Sequence, residues 1–308
     1  MLLAHVVAQR EQPWLFVQRG LDWRWRSFGA VAARVERLRA ALAAGLGGPP
    51  ARIGFEDSGR PSAIALDLAI QAAGACAAPL PPGLTGTALA AALAERGCAA
   101  LAVFAAAAGA PPALAGEVAG PSGGGERPAA VVGAPGVLVL HLARDEPSER
   151  EAPPPSAPWR GGPVLVAEGA GWREIAQTDL VAGAVELAAR LAPGRPWRRG
   201  REVLVLPRPL ADPAGRRLAA WALAAGAALA LEPDRGNLAA AAAWVRPTVF
   251  AGDPAEVAAL RAVVEPRRRR RRGLPLRRLH TVAVLGGAPP PAAERAFWTG
   301  RGVAVTVV

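Results

Sequence analysis

The sequence predicts an α/β protein built on two helix-flanked, mainly parallel sheets. Short runs of Val, Leu and Ala alternate with longer segments whose apolar residues recur at helical spacing, and this alternation is typical of βαβ units. Gly and Pro separate the segments, since the 308 residues include 35 Gly and 31 Pro. A chain of this length, 52% of it hydrophobic, needs no disulfide cross-links to bury its cores.

The first α/β subdomain is predicted over 1–104. Its opening helix, 27–44, carries apolar residues on one face, and Ser27 suits the N-cap position. A second apolar helix is opened by Ser58 and Pro61 and ends at Gly74. Strands are predicted at 52–55, 76–80 and 99–104, with a third helix at about 85–96.

The composition changes sharply after residue 104. Residues 105–162 are rich in Ala, Gly, Pro and charge, which predicts a variable linker, although a strand-like island at 137–142 can add an edge strand. A second α/β subdomain follows over 163–308. Its strands are predicted at 164–166, 203–206, 227–231, 247–250, 281–285 and 303–307, and its helices at 178–191, 213–225, 236–244, 254–264 and 291–298.

Composition excludes several functions. All 36 basic residues are Arg, so the chain has no lysine-dependent phosphate loop, Schiff base or kinase-type site. Its two Cys predict a reducing compartment. The sequence has no signal peptide and no apolar run suited to a bilayer, so the expected location is cytoplasmic. The three His and two Cys have no metal-ligand spacing, so no metal site is expected.

The net charge of +11 is concentrated in one segment. Eight Arg fall between Arg267 and Arg278 without an acidic residue. Such a run can hold an anionic surface, but it lacks the interleaved aromatic residues that stack on bases. Basic runs are commonly solvated, so nucleic acid and membranes are not the expected partners.

Two further patterns are interpreted as structural. The G-x-S-x-G match at 120–124 lies between Gly- and Pro-rich flanks instead of a strand and a helix, so it is interpreted as a chance match. Trp221, Trp244 and Trp298 lie within apolar helical patterns and are expected to pack in core and rim positions instead of stacking on a ligand.

Five segments, taken in order, resemble the adenylate-forming acyl-CoA synthetase superfamily. They are 52–85, 203–216, 221–231, 245–257 and 279–290. Within the first, the family has an Asn-Ser-like turn, a long helix and a Gly-Ala-x-x-x-Pro-Leu turn, to which Asp57-Ser58, Gly74-Ala75 and Pro79-Leu80 correspond. The last segment, with Gly-Gly-Ala-Pro, is most similar to the long-chain fatty acid–CoA ligase branch.

The resemblance implies the fold of most of that family's large N-terminal domain. It implies an ancestral reaction in which ATP activates a fatty acid as an acyl-adenylate, with ATP or AMP and Mg²⁺ as cofactors and an acyl or adenylate ligand. It further implies that Gly286, Gly287, Ala288 and Pro289 contact adenine, and that Arg173 stands near the place of the family's phosphate-loop Lys.

The chain departs from the family where the phosphates are held. The corresponding stretch, 164–184, has no Ser or Thr before Thr178, and Glu168 would repel a triphosphate. Phosphate binding requires backbone N–H groups and hydroxyls that converge on oxyanions. The chain has no Tyr, and the family's Tyr-Gly-x-Thr-Glu segment, mobile C-terminal domain and catalytic Lys do not occur before Val308.

These departures predict a truncated, degenerate ligase-like protein, a pseudoenzyme that is not catalytic alone. No catalytic residue is assigned, and neither ATP nor AMP is expected to bind tightly. Two alternatives remain open. The chain is half of a split acyl-CoA ligase completed by a separate subunit, or it is a non-enzymatic scaffold that binds an anionic surface through the run from Arg267 to Arg272.

Overall fold

The computed structural model describes residues 10–19, 22–46, 51–104, 137–142, 161–191, 202–232, 237–265, 276 and 278–308. The chain forms two compact units. One comprises Met1–Gly29 and Thr178–Val308, and is called the seven-stranded unit; the other comprises Ala30–Gln177, and is called the six-stranded unit.

The described strands and helices alternate as the sequence predicts. In chain order, the strands are β1 Pro13–Arg19, β2 Asp22–Ser27, β3 Arg52–Glu56, β4 Cys76–Leu80, β5 Ala100–Phe104, β6 Leu138–Leu142, β7 Val164–Glu168, β8 Gly171–Ile175, β9 Val203–Leu206, β10 Ala228–Leu231, β11 Val249–Gly252, β12 Thr281–Val284 and β13 Ala304–Val307. The helices are α1 Phe28–Leu46, α2 Pro61–Ala72, α3 Gly86–Glu95, α4 Gln177–Leu191, α5 Pro213–Ala225, α6 Leu238–Val245, α7 Pro254–Val264 and α8 Ala292–Thr299.

The six-stranded unit is a mainly parallel sheet in the order β6-β5-β3-β4-β7-β8. Only β8 runs antiparallel among its described strand pairs, because it returns from β7 through a tight turn. One core cluster lies beneath β4, β5 and β7 and includes Leu80, Leu93, Leu101 and Leu165. The predicted island at 137–142 forms β6 and pairs with β5 at the sheet edge, which confirms the edge-strand prediction.

The seven-stranded unit has the order β13-β12-β11-β9-β10-β1-β2, and only the β1–β2 pair is antiparallel among its described pairs. Its main core cluster packs α6, α7 and α8 against the strands. Phe250 and Trp298 are among its largest fully buried side chains. The two helix-flanked, mainly parallel sheets confirm the predicted fold class.

Two hairpins differ from the sequence expectation. Strands β1 and β2 were not predicted, and β1 joins the sheet of the second half by pairing Leu15 with Leu229. Strand β8 was not predicted either, and the β7–β8 hairpin joins the sheet of the first half by pairing Val164 with Ala77. The units therefore do not divide near residue 163 as expected, because pairing between distant segments leaves no local pattern in the sequence.

Two further details concern one helix start and one tryptophan. Helix α2 begins at Pro61, one of the two predicted opening residues, with Arg60 at the N-cap and Ser58 outside the helix. Of the three tryptophans predicted to take core and rim positions, Trp221 and Trp298 are buried in the core, whereas Trp244 is 59% exposed. It lies near the end of the short helix α6, whose opposite face contacts the core through Leu238 and Ala242.

Most of the predicted variable linker, at 105–136 and 143–160, falls outside the described residues. The arginine run from Arg267 to Arg272 falls outside them too. Among the described residues, no helix combines the length and the apolar character needed to cross a membrane.

Candidate functional site

The parallel strands of the seven-stranded unit end at a common edge, where open α/β sheets bind their ligands. Gly286 and Gly287 follow β12 at this edge, with φ angles of +98° and +75°. Both are exposed, and no atom lies within 4 Å of the position that a Cβ would take at either residue. The backbone here is open to a flat ligand, and side chains are disfavoured by the positive φ angles.

The four predicted adenine-contacting residues form one continuous exposed turn. Ala288 and Pro289 are exposed like the two glycines before them, whereas the following Pro290 is buried. The turn is fixed by its flanks, since the amide of Leu285 donates to the carbonyl of Gly252 at 2.9 Å. This arrangement offers backbone groups and small apolar surfaces to a ligand, and it offers no side-chain acid, base or nucleophile.

Two helices at the same edge begin with acidic N-caps. Asp212 precedes α5, and its Oδ1 accepts from the amides of Ala214 and Gly215 at 2.7 and 3.0 Å. Asp253 precedes α7, and its side chain and that of Glu256 form a capping box. Asp and Asn are among the preferred N-cap residues because their oxygens satisfy amides that lack helical partners.

Arg208, after β9, lies among these acids. Its guanidinium is 3.2 Å from Asp253, 3.7 Å from Asp212 and 3.9 Å from the buried carboxylate of Glu256. The positive charge of Arg208 beside the two capped helices is therefore paired with carboxylates. Sequence reasoning missed this cluster, because Arg208 and Asp253 are far apart in the chain and only sheet pairing brings them together.

The β7–β8 hairpin occupies the stretch that resembles the phosphate loop. Glu168 pairs with Gly171 across a turn of only two residues, Gly169 and Ala170, and Gly169 has a φ of +59°. Arg173 returns along β8 and forms an ion pair with Glu168 at 2.8 Å. The cation that the sequence places near the phosphates is therefore paired with the acid that would repel them.

The hairpin is held to its own unit by an aromatic contact. The indole of Trp172 lies over the guanidinium of Arg96 at 3.7 Å and donates to Glu95 at 3.0 Å. Arg96 is buried and donates to the carbonyls of Pro79 and Ala92, and this burial lowers the pKa of Arg96 from its usual value. These contacts hold β8 against the end of α3, while the turn residues Gly169 and Ala170 remain exposed.

The predicted site residues thus fall into two groups. Gly286, Gly287, Ala288 and Pro289 lie together in the seven-stranded unit, and Arg173 lies in the six-stranded unit. In the part of the chain that the structure describes, no group of three or more His, Cys, Asp or Glu can hold a metal ion. His280 is packed, with its ring nitrogens 2.8 Å from Glu202 and 2.9 Å from Thr281.

Cys76 and Cys98 are buried free thiols. Cys76 lies in β4, and Cys98 lies two residues before β5. Strands β4 and β5 flank β3 on its two sides. Two strand spacings amount to about 10 Å, which exceeds the separation of about 7 Å that a disulfide can bridge. Burial raises the pKa of Cys76 to about 12 and that of Cys98 to about 11, so both remain protonated and unreactive near neutral pH.

The two thiols make the stability of the protein fall at alkaline pH. The unfolded chain ionises them near their ordinary pKa of 9.0, whereas the folded chain holds them protonated up to about 11 and 12. Their stabilising contribution is therefore complete below pH 9 and is lost as the pH rises towards 12. Urea denaturation between pH 8 and 11 should show this decline, and the double variant Cys76→Ala, Cys98→Ala should show a shallower one. Equal slopes would contradict the assignment.

The fold matches solved structures over nearly its whole length. The nonribosomal peptide synthetase FmoA3 superposes with a TM-score of 0.73 at 19% identity, covering 99% of this chain and 30% of that one. The N-terminal domain of FACL13 from Mycobacterium tuberculosis gives 0.71 at 16%, covering 99% and 74%. A fatty acyl CoA synthetase from the same organism gives 0.70 at 16%, covering 99% and 57%. No curated protein matches the sequence.

Two sheets of this order, with helices on their faces, define the fold shared by acyl-CoA synthetase N-terminal domains and peptide synthetase adenylation domains. The chain belongs to the AMP-binding enzyme family, whose sequence profile matches residues 3–161. The predicted family is therefore confirmed.

The sequence resemblance implies an adenosine nucleotide and Mg²⁺ as cofactors, and the described residues fit them unequally. The exposed turn at Gly286 and Gly287 leaves open space beside its backbone, which is compatible with a flat ring. The phosphates fit poorly, because the β7–β8 turn has two residues, no hydroxyl and a carboxylate at its edge. Mg²⁺ needs converging oxygen ligands, and the described residues provide no cluster of three acids for it.

Proposed function

We propose that this chain is a degenerate adenylate-forming domain that does not activate a carboxylate by itself and that retains a weak contact for adenosine at Gly286–Pro289. The two-residue β7–β8 turn is the observation that carries this proposal. It stands where the sequence resemblance expects a hydroxyl-rich loop, and its cation, Arg173, is paired with Glu168.

Formation of an acyl-adenylate depends on stabilisation of charge at the phosphates. Transfer of an adenylyl group to a carboxylate builds negative charge on the phosphates, and enzymes stabilise it with preorganised donors worth several kcal/mol. Here the tight turn leaves few amides free, and the side chain of Glu168 adds a negative charge to the same place. Removing that charge alone would not restore the missing hydroxyl donors.

The ancestral substrate class is proposed from the relatives. The solved structures similar to this chain include a fatty acyl CoA synthetase, and the form of FmoA3 crystallised with AMPPNP shows that this fold holds an ATP analogue in that protein. We infer that the ancestral substrate was a fatty acid. We also infer that the protein acts in the cytoplasm, because its two free thiols suit a reducing compartment.

The proposal predicts that the purified chain lacks adenylation activity. ATP–pyrophosphate exchange should stay at background with fatty, aryl and amino acids, both in the parent chain and in Glu168→Gln, because the donors are missing in both. A catalytically complete member of the family serves as the positive control. Exchange above background in the parent chain with any acid would overturn the proposal.

The two alternative functions, half of a split ligase and an anionic-surface scaffold, predict different experimental results. A complementing ligase subunit would restore exchange when it is expressed together with this chain. An anionic-surface scaffold would bind vesicles that contain phosphatidylserine, with steep salt dependence, and would lose that binding when the arginines from Arg267 to Arg272 are replaced by Ser. Either result would replace the leading proposal.

A further inference from the structure

Strand β2 forms one edge of the seven-stranded sheet. Within the described part of the chain it pairs with β1 alone, so the N–H and C=O groups along its outer side have no strand partner there. An unpaired edge of this kind is a template for a strand from another chain. Proteins either block such an edge or use it to bind an extended peptide.

One face of β2 presents exposed aromatic surface. Trp25 is 51% exposed, although it stands opposite Phe16, which packs against the main core cluster. Directly opposite residues of an antiparallel pair project to the same face of the sheet, so Trp25 lies on the face that α6 packs against. Helix α6 contacts β2 and carries Trp244, which is also exposed.

The opposite face of β2 carries two arginines. Arg24 is exposed and Arg26 is half-buried, and both stand opposite apolar residues of β1. Asp22, the acid of the same strand, stands opposite Arg19 instead. Neither Arg24 nor Arg26 forms an ion pair with a carboxylate among the described residues. Two positive charges therefore lie along this edge without a counter-charge in that part of the chain.

These charges determine which strand can join the edge. A second copy of β2 brings two arginines and one aspartate, so it adds net positive charge to an edge that is already positive. A strand with carboxylates opposite Arg24 and Arg26 is stabilised instead, because opposite charges attract across a strand pair. Since side chains alternate along a strand, its remaining side chains lie beside Trp25, where β-branched apolar residues pack well.

We propose that the outer edge of β2 binds an extended peptide in which acidic and apolar residues alternate, by adding that peptide to the sheet as a further strand. Its carboxylates meet Arg24 and Arg26, its apolar side chains meet Trp25, and its backbone bonds to the outer N–H and C=O groups of β2. A single-stranded nucleic acid lying on one face would reach either the arginines or the tryptophan, whereas a strand reaches both. This inference is independent of the proposed adenosine contact.

Fluorescence anisotropy of a labelled peptide of alternating Glu and Val, about eight residues long, tests the inference on the purified chain. The double variant Arg24→Gln, Arg26→Gln should weaken binding about fivefold or more, because each ion pair across a strand pair contributes up to about fivefold. The matched control Arg217→Gln, Arg295→Gln removes the same charge from exposed positions on α5 and α8. It should keep the parent affinity within about twofold.

A second peptide separates strand addition from general charge attraction. It has the same composition, with its Glu and Val residues in two blocks, so its acids no longer occupy a single face of the strand. It should bind more weakly than the alternating peptide. Hydrogen exchange of the β2 amides should slow when the alternating peptide is added, because an added strand bonds to the outward N–H groups.

Three results would overturn the inference: equal binding of the two peptides, equal binding to the parent chain and the double variant, or unchanged hydrogen exchange at β2. Binding of a thymidine oligonucleotide or of phosphatidylserine vesicles without binding of the peptide would also overturn it, and would assign the arginines to another class of partner. If circular dichroism shows that the double variant does not fold, Arg24→Gln alone, at an exposed position, must still weaken binding about twofold or more.

Discussion

Replacing Trp298 with Ala should lower the free energy of unfolding of the seven-stranded unit by about 3–5 kcal/mol. Trp298 on α8 is fully buried in the main core cluster. Its ring meets that of Phe297 edge to face at 5.0 Å, and its indole N–H donates to Glu294 at 2.7 Å. The substitution would open a large cavity and would leave the buried Glu294 carboxylate without one of its two donors.

Trp244→Ala is the matched control, since the same side chain is removed from a position that is 59% exposed. That change should cost less than about 0.5 kcal/mol. Urea denaturation followed by circular dichroism measures both variants without relying on tryptophan fluorescence. Similar costs for the two variants would show that Trp298 is not packed as described.

Replacing Gly162 with Ala should destabilise the six-stranded unit by about 3 kcal/mol or more. Gly162 is buried two residues before β7 begins, and its amide donates to the carbonyl of Gln71 at 2.6 Å. A methyl group there would overlap the carbonyl oxygen of Ala75 and lie 2.8 Å from its carbonyl carbon. The obstacle is backbone, so relief requires that β7 move away from β4.

Gly183→Ala provides the opposite result from the same chemical change. Gly183 lies inside α4 with no atom within 4 Å of its Cβ position, so Ala should stabilise the helix by up to about 1 kcal/mol. Thermal melts compare the two variants, and hydrogen exchange at β4 and β7 should report the loss in Gly162→Ala. A neutral effect of Gly162→Ala would contradict the close approach of the two strands.

The local elements were predictable because their signals are local. The apolar spacing along 213–225 and 254–264 predicted α5 and α7, and both helices begin after an Asp with Pro in the first turn. The buried strand Thr281–Val284 was likewise readable as a short apolar run. These patterns depend only on neighbouring residues, which is where propensity and capping act.

The β1–β2 hairpin was not predictable in the same way. Its sequence, with Trp and Arg alternating at Trp23, Arg24, Trp25 and Arg26, does not indicate a partner strand more than 200 residues away. The β7–β8 hairpin was missed because β8 carries one buried residue, Ile175, and one half-buried residue, Trp172, among exposed ones. Edge strands of this kind have a weak apolar pattern, and their place follows from backbone pairing.

The sequence by itself determined the family resemblance, the Gly-Gly turn and the absence of lysine, because these are properties of residues and their spacing. Only the tertiary structure decided what surrounds the turn. The pairing of β9 with β11 brings Arg208 within 3.2 Å of Asp253, and the hairpin brings Arg173 within 2.8 Å of Glu168. Whether a charge attracts or repels a ligand depends on the neighbours that fold beside it, and those neighbours come from segments far apart in the chain.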